Sequence, residues 1–244
     1  MRKHLIIINA FIKGIVFFLR PGILFNFLSG PFIFFANTLR LTRWMSQQPR
    51  KNILNDFYSP FRDYDKRSKL HTYVIQKENI NSGPINYLEF GVSRGTTFKW
   101  WLEANKHKDS RFYGFDTFEG LPEDWGFFKK GDMFASVLET KDPRAEFIKG
   151  LFQETLFEFL ETHNLNDGKK KVLHLDADLF SSTLFVLSSI AKYLNEGDIL
   201  MFDEFNVPNH EFYAFKCFAD SFYIKTELIG AVNNYFQVAM KIVK

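Results

Sequence analysis

The sequence predicts an α/β fold with a mostly parallel sheet and an antiparallel last strand, placed behind an apolar, basic and helical N-terminal region. Three observations predict it. From residue 85 onward, short apolar runs ending in polar residues alternate with stretches of helical length and period. The last two apolar runs follow each other with no helix between them, as in a hairpin. Charge and composition also divide the chain of 244 residues: residues 1–50 hold seven Lys and Arg and no Asp or Glu, whereas the other 194 hold 24 Lys and Arg against 28 Asp and Glu.

The head, residues 1–44, reads as basic, Phe-rich and helical. A secretory signal is disfavoured because Lys13 interrupts the first apolar run and no small-x-small site follows it. A single spanning helix needs about 20 unbroken apolar residues, and here Arg20-Pro21 divides the head and Gly30-Pro31 is expected to break the stretch from Pro21 to Leu39. A helix over residues 4–19 would carry Asn9 and Lys13 as a narrow polar stripe on a wide apolar face. Such a region suits peripheral contact with a membrane, on its cytoplasmic face. The other readings are packing on the body or on a second copy of the chain, so a homo-oligomer stays open. Basic residues set among aliphatic runs do not make a nucleic-acid surface, and none is expected to bind.

Residues 45–84 form a polar connector with one helix, over Asp65 to Gln76. The body, residues 85–244, follows. Strands are expected at Ile85–Phe90, Arg111–Asp116, Glu146–Lys149, Lys171–Asp176, Asp198–Asp203, Tyr223–Leu228 and Tyr235–Ile242, seven in all, with "IGAVNN" joining the last two. Helices are expected near Thr96–Asn105, Phe152–His163, Ser182–Leu194 and Glu211–Ser221.

Ligands of parallel sheets bind at the carboxyl ends of the strands, and here those ends carry Glu89, Asp116, Asp176 and Asp203. The turn Gly91-Val92-Ser93-Arg94-Gly95 lacks one glycine of the dinucleotide fingerprint, and Glu89 ahead of it would repel a pyrophosphate. S-adenosylmethionine suits the turn better. Glu89 can accept from its amino group, Gly91 admits a close backbone, and Asp116, 27 residues after Glu89, can hold the ribose diol. Ser93 and Gly95 in the turn, and Thr117 and Phe118 after Asp116, complete the expected cofactor set. Trp125 is a candidate cover for the adenine.

The segments YLEFGVSRGTTFKWW (87–101), FYGFDTFEGLPEDW (112–125), KGLFQETLFEFL (149–160), HLDADLFSST (174–183) and GDILMFDEF (197–205) resemble the class I S-adenosylmethionine-dependent methyltransferases related to macrocin O-methyltransferase. The resemblance runs from about Tyr64 to Val243 and leaves the head outside. It implies a Rossmann-like methyltransferase sheet and O-methylation of a hydroxyl on a sugar, glycan or related polyol. It also implies a magnesium ion held by Asp176, Asp203 and Glu204, with Asp176 as catalytic base; hard oxygen donors suit such an ion. Two departures leave the metal open: Glu204 stands where the family shows Asp, and Phe180 where it shows Tyr.

Several residues have competing readings. His210, in the loop after Asp203, is the alternative general base. Asp178 is expected to cap the helix beginning near Ser182, and His174 to be a buried, hydrogen-bonded histidine. Cys217, the single cysteine, fits a reducing compartment and a packing role. No C-x-x-C, H-E-x-x-H, G-x-S-x-G or Walker motif occurs. The rival functions are a methyltransferase-like scaffold without turnover and a nicotinamide-dependent oxidoreductase, the second disfavoured by the missing glycine and the final hairpin.

Overall fold

A computed structural model describes residues 2–243. In chain order the elements are α1 (Arg2–Leu19), α2 (Gly22–Phe25), α3 (Ser29–Ser46), β1 (Leu54–Asn55), α4 (Asp65–Lys77), β2 (Ile85–Phe90), α5 (Thr96–Ala104), β3 (Arg111–Asp116), β4 (Ala145–Lys149), α6 (Phe152–Thr162), β5 (Lys170–Leu175), α7 (Phe180–Ile190), β6 (Ile199–Phe202), α8 (Glu211–Phe222), β7 (Lys225–Val232) and β8 (Gln237–Val243). They build one sheet in the order β1-β7-β8-β6-β5-β2-β3-β4, in which β8 alone runs against its neighbours β6 and β7.

The sheet has eight strands where the apolar pattern predicts seven. The extra one, β1, is two residues long and pairs Leu54 with Gly230 at the sheet edge, too short to leave a period in the sequence. The hairpin also differs from expectation. Ile229 to Val232 belong to β7, which absorbs a register shift between Leu228 and Gly230, and the turn is confined to residues 233–236. Three of its residues, Asn233, Asn234 and Tyr235, have positive φ, a conformation that Asn tolerates better than most side chains.

The central strand β2 is buried along its whole length because helices cover both faces. On one face Leu88 and Phe90 pack with Leu156 and Phe159 of α6, Val186 and Leu187 of α7 and Phe212 and Phe215 of α8. On the other, Tyr87 joins Leu70 and Val74 of α4 and Phe98 and Trp101 of α5. Strands β3 and β4 lie to one side of β2 and β5 and β6 to the other, so the chain reverses direction across the sheet between β2 and β5. In open α/β sheets that switch point, at the carboxyl ends, opens a crevice.

The head stands apart. No residue of α1 is buried, and α3 buries only Asn37 and Leu41. Gly30-Pro31 does not break the helix as expected, because it falls in the first turn of α3, where proline is tolerated; the interruption comes earlier, as a tight 3-10 turn over Asn26–Leu28. The stretch Gly22–Ser46, of mean hydropathy 1.4, is long and apolar enough to cross a membrane by length and composition. Its carboxyl half is anchored to the body: Trp44 packs on Phe205, Tyr235 and Phe212 at ring distances of 5.0, 5.8 and 6.4 Å, and Asn37 Nδ2 donates to Asn209 Oδ1 at 3.0 Å.

Candidate active site

At the switch point lies a cavity of about 380 Å³ lined by the ends of β2, β3, β5 and β6 and by the loop after β3. Glu89, Gly91, Ser93, Asp116, Thr117, Asp176, Asp203 and Glu204 all line it. Gly95, Phe118, Trp125 and His210 do not, although Arg94 and Thr96 on either side of Gly95 do.

The backbone at this end is held in costly conformations. Ser93, Phe118 and Asp178 follow β2, β3 and β5 and have φ of +48°, +56° and +57°; such left-handed non-glycine residues cost on the order of 1–3 kcal/mol each and concentrate at functional sites. Gly91, at φ +93°, is needed for a different reason than close approach to a ligand. A Cβ there would lie 1.8 Å from the Asp176 carbonyl oxygen, so the glycine lets the end of β5 cross over the end of β2. A Cβ on Gly95, at φ +71°, would meet Leu138 at 2.2 Å.

Asp116 organises the first turn. One carboxylate oxygen accepts from the Ser93 N–H and the other from the Phe118 N–H, both at 2.7 Å, which fixes the carboxylate at the cavity wall with lone pairs to spare. Thr117 Oγ1 donates to the Gly120 carbonyl at 2.9 Å and closes the turn that follows. Glu89 lies deeper, 1% exposed, and accepts from the Tyr87 hydroxyl at 2.5 Å. His174, buried as expected, leaves Nδ1 without a hydrogen-bond partner, 3.9 Å from Glu89.

On the other side of the crevice, acidic groups crowd around one cation. Arg67 of α4 places its guanidinium 3.4 Å from Asp176 and 3.2 Å from Asp203. Sequence reasoning missed Arg67, since nothing local in a polar connector marks a helix that packs across the strand ends. Burial pushes the Asp176 carboxyl well up, and Asp203 and Asp178 push it further while Arg67 opposes them, even though 27% of the side chain stays exposed. Burial, then Asp203 and Asp116, raises Asp178 to about 7. Burial, then Asp178 and Asp203, raises Glu204 to about 8. Behind Glu204, the buried Glu211 accepts its backbone N–H at 2.8 Å and is itself pushed well up by burial.

Asp178 does not cap a helix. The following helix begins at Phe180 and has no side-chain cap, and Asp178 instead lines the cavity. His210 sits beside Trp125, with ring centroids 6.4 Å apart, outside the cavity lining; burial lowers its pKa. Phe118 is buried and faces Phe147. Phe180 stacks on Tyr213 at 5.0 Å.

The donors implied for magnesium are right in kind but not in arrangement. Asp203 Oδ1 and Glu204 Oε2 are buried without hydrogen-bond partners. Yet among the described residues no three acidic, His or Cys side chains converge on a common point, and Arg67 bridges the two aspartates instead. The site as built fits a guanidinium rather than a metal ion.

Residues 88–205 match the family model described as a methyltransferase domain. Over that segment the body has a Rossmann-like methyltransferase fold. With the exception of Arg67, every residue lining the crevice at the switch point, Glu89, Asp116 and Asp176 included, lies within the matched segment. No curated protein matches the chain in sequence. Among solved structures, the calicheamicin methyltransferase CalS11 shares 18% identity over 84% of this chain and 91% of its own, with a TM-score of 0.55. The O-methyltransferase NovP shares 18% over 73% of this chain and 80% of its own, also at 0.55. The apo form of CalS11, described as a TDP-rhamnose 3'-O-methyltransferase, shares 20% over 84% and 93%, at 0.50. At these identities the likeness establishes the fold.

Proposed function

We propose that this methyltransferase domain binds S-adenosylmethionine and transfers its methyl group to a hydroxyl of a sugar, glycan or related polyol. The observation that carries the reading is the convergence of Glu89, Asp116 and Asp176, from three adjacent strand ends, on one cavity inside the matched segment. Asp116 would accept from the ribose diol, and Glu89 from the amino group of the methionine part. Gly91, Ser93, Gly95, Thr117 and Phe118 shape the two turns that hold these carboxylates. A sugar acceptor takes support from the fold shared with a TDP-rhamnose methyltransferase and from the macrocin-type motifs.

In the chemical step the acceptor oxygen attacks the methyl carbon, the carbon–sulfur bond breaks, the sulfonium becomes a neutral thioether, and Asp176 takes the hydroxyl proton. The donor is already reactive, so most of the rate gain comes from holding acceptor and donor in line. Asp176, raised in pKa by its burial and acidic neighbours, is a stronger base than a free carboxylate but must be ionised to act. Arg67 opposes that rise and holds the carboxylate in place. The magnesium implied by the resemblance is replaced in this reading by Arg67. His210, outside the cavity, is the second candidate base; its neutral imidazole could accept a proton after a shift of the Trp125 loop. The head, residues 1–44, serves as a peripheral anchor on the cytoplasmic face of a membrane.

Incubation with tritiated S-adenosylmethionine and a panel of nucleoside-diphosphate sugars and glycans tests the step. Label should enter the acceptor fraction in EDTA as well as in magnesium, and Asp176→Asn should lower the rate by about 10²–10⁴. Transfer at the wild-type rate by Asp176→Asn, or transfer abolished by EDTA, would overturn it.

A further inference from the structure

Two apolar surfaces are left uncovered, and a chain of contacts joins them at one end of the molecule. The first is the head, where Leu5, Ile6, Ile7, Ile8 and Phe11 of α1 and Phe32 to Phe35 of α3 are all exposed. The second is the tip of the loop between β3 and β4, whose sequence Gly126-Phe-Phe-Lys-Lys130 carries Phe127 fully exposed and is followed by exposed Met133 and Phe134. Phe128 stacks on Trp125 at 5.3 Å, Trp125 meets the His210 ring at 6.4 Å, and the adjacent Asn209 bonds Asn37 of α3 at 3.0 Å. The same loop walls the cavity through Gly120, Leu121, Pro122 and Met133.

The pattern selects the occupant. Leu5 to Ile8 spread over most of the circumference of α1 and leave only the narrow stripe of Asn9 and Lys13. A protein groove accepts one stripe of a helix, whereas a lipid interface takes so wide an apolar face and leaves the polar stripe toward water. The head also carries six Lys and Arg residues and no acid, and the loop tip sets Lys129 and Lys130 beside its two Phe side chains. Basic residues flanking apolar ones match anionic head groups above acyl chains. The anchored half of α3 limits the freedom between the surfaces, since Ser29 lies only about 12 Å along the helix from Asn37.

We propose that the loop tip around Phe127 is a second membrane contact, which docks with the head on an anionic lipid surface and brings the cavity mouth to head-group level. Resting on the methyl-transfer reading, the acceptor hydroxyl is then one borne by a membrane-anchored molecule rather than by a free metabolite.

The test places an environment-sensitive nitrobenzoxadiazole label at Phe127→Cys in the full chain carrying Cys217→Ser, and adds vesicles of phosphatidylcholine with one quarter phosphatidylglycerol. The label should shift to the blue and brighten several-fold, and do so far less with pure phosphatidylcholine. The same label at Tyr223→Cys, exposed at the opposite, amino-terminal end of β7, should not move. A silent label at position 127, whether or not the chain floats with the vesicles, overturns the proposal, as does an equal shift at position 223. Calorimetric binding of S-adenosylmethionine to the same variants separates the two readings: a silent label with binding retained removes the docking alone, and a shifted label without binding removes the methyl-transfer reading alone.

Discussion

Gly91 and Asp176 meet in a contact that explains why an apolar strand must end in glycine here. The G-x-x-x-G spacing was legible in the sequence, but its cause was not, because the clash that forbids a side chain comes from a residue 85 positions away. Gly91→Ala, with its Cβ 1.8 Å from a backbone carbonyl and a φ of +93°, should cost about 3 kcal/mol or more in urea unfolding. A loss below about 1 kcal/mol would mean that the two strand ends separate easily. The acidic strand ends were equally legible as residues. Their crowding was not, since Asp178 reads in sequence as a helix cap and only the fold turns it into the cavity.

That crowding has a pH signature. Asp178 and Glu204 have folded pKa values near 7 and 8, above those of free carboxylates. A raised folded pKa means that the stability these groups contribute is fully present below the unfolded value, near 4, and is lost as pH rises through 7 to 8. The ligand-free protein should therefore melt at lower temperature at pH 8.5 than at pH 6, and Asp178→Asn should flatten the decline. A melting temperature that rises over the same range would contradict the picture of uncompensated acidic groups.

At the scale of elements, the strands and helices of the body were readable because burial on both faces or on one face imposes a period on the sequence. The connector was readable only in part: its helix, expected over Asp65 to Gln76, runs over Asp65–Lys77, but its place in the fold left no local pattern. Helix α4 reads as a weakly amphipathic segment of a linker, yet it packs Leu70 and Val74 under the sheet and delivers Arg67 to Asp176 and Asp203. Around it, Asp56 accepts from the backbone of Asn233 at 3.1 Å and Asn234 holds Ser59, so residues 54–63 are stitched to the β7–β8 turn by long-range bonds that no local pattern records. Arg67→Met tests the role of this element. Removing the cation that lowers the Asp176 pKa should move the limb of the pH–rate profile on which activity rises toward higher pH, and lower the rate at pH 7 by about tenfold per unit moved. An unmoved limb would leave Arg67 as a packing residue only.

The molecule as a whole joins an acidic crevice to a basic, uncovered head. Composition alone divided the two, because the counts of charge on either side of residue 50 differ in sign. What composition could not give is the anchoring of α3 beside the loop that leads to His210, which turns two neighbours in sequence into two sides of one working face. Whether the crevice is a cofactor site is tested most directly by a calorimetric titration with S-adenosylmethionine in EDTA, on the wild type and on Asp116→Ala. Saturable one-site binding to the wild type is expected, weakened about 10- to 100-fold in the variant by loss of the charged acceptor for the ribose diol. Absence of saturable binding, or equal affinity in both proteins, would contradict a cofactor site there.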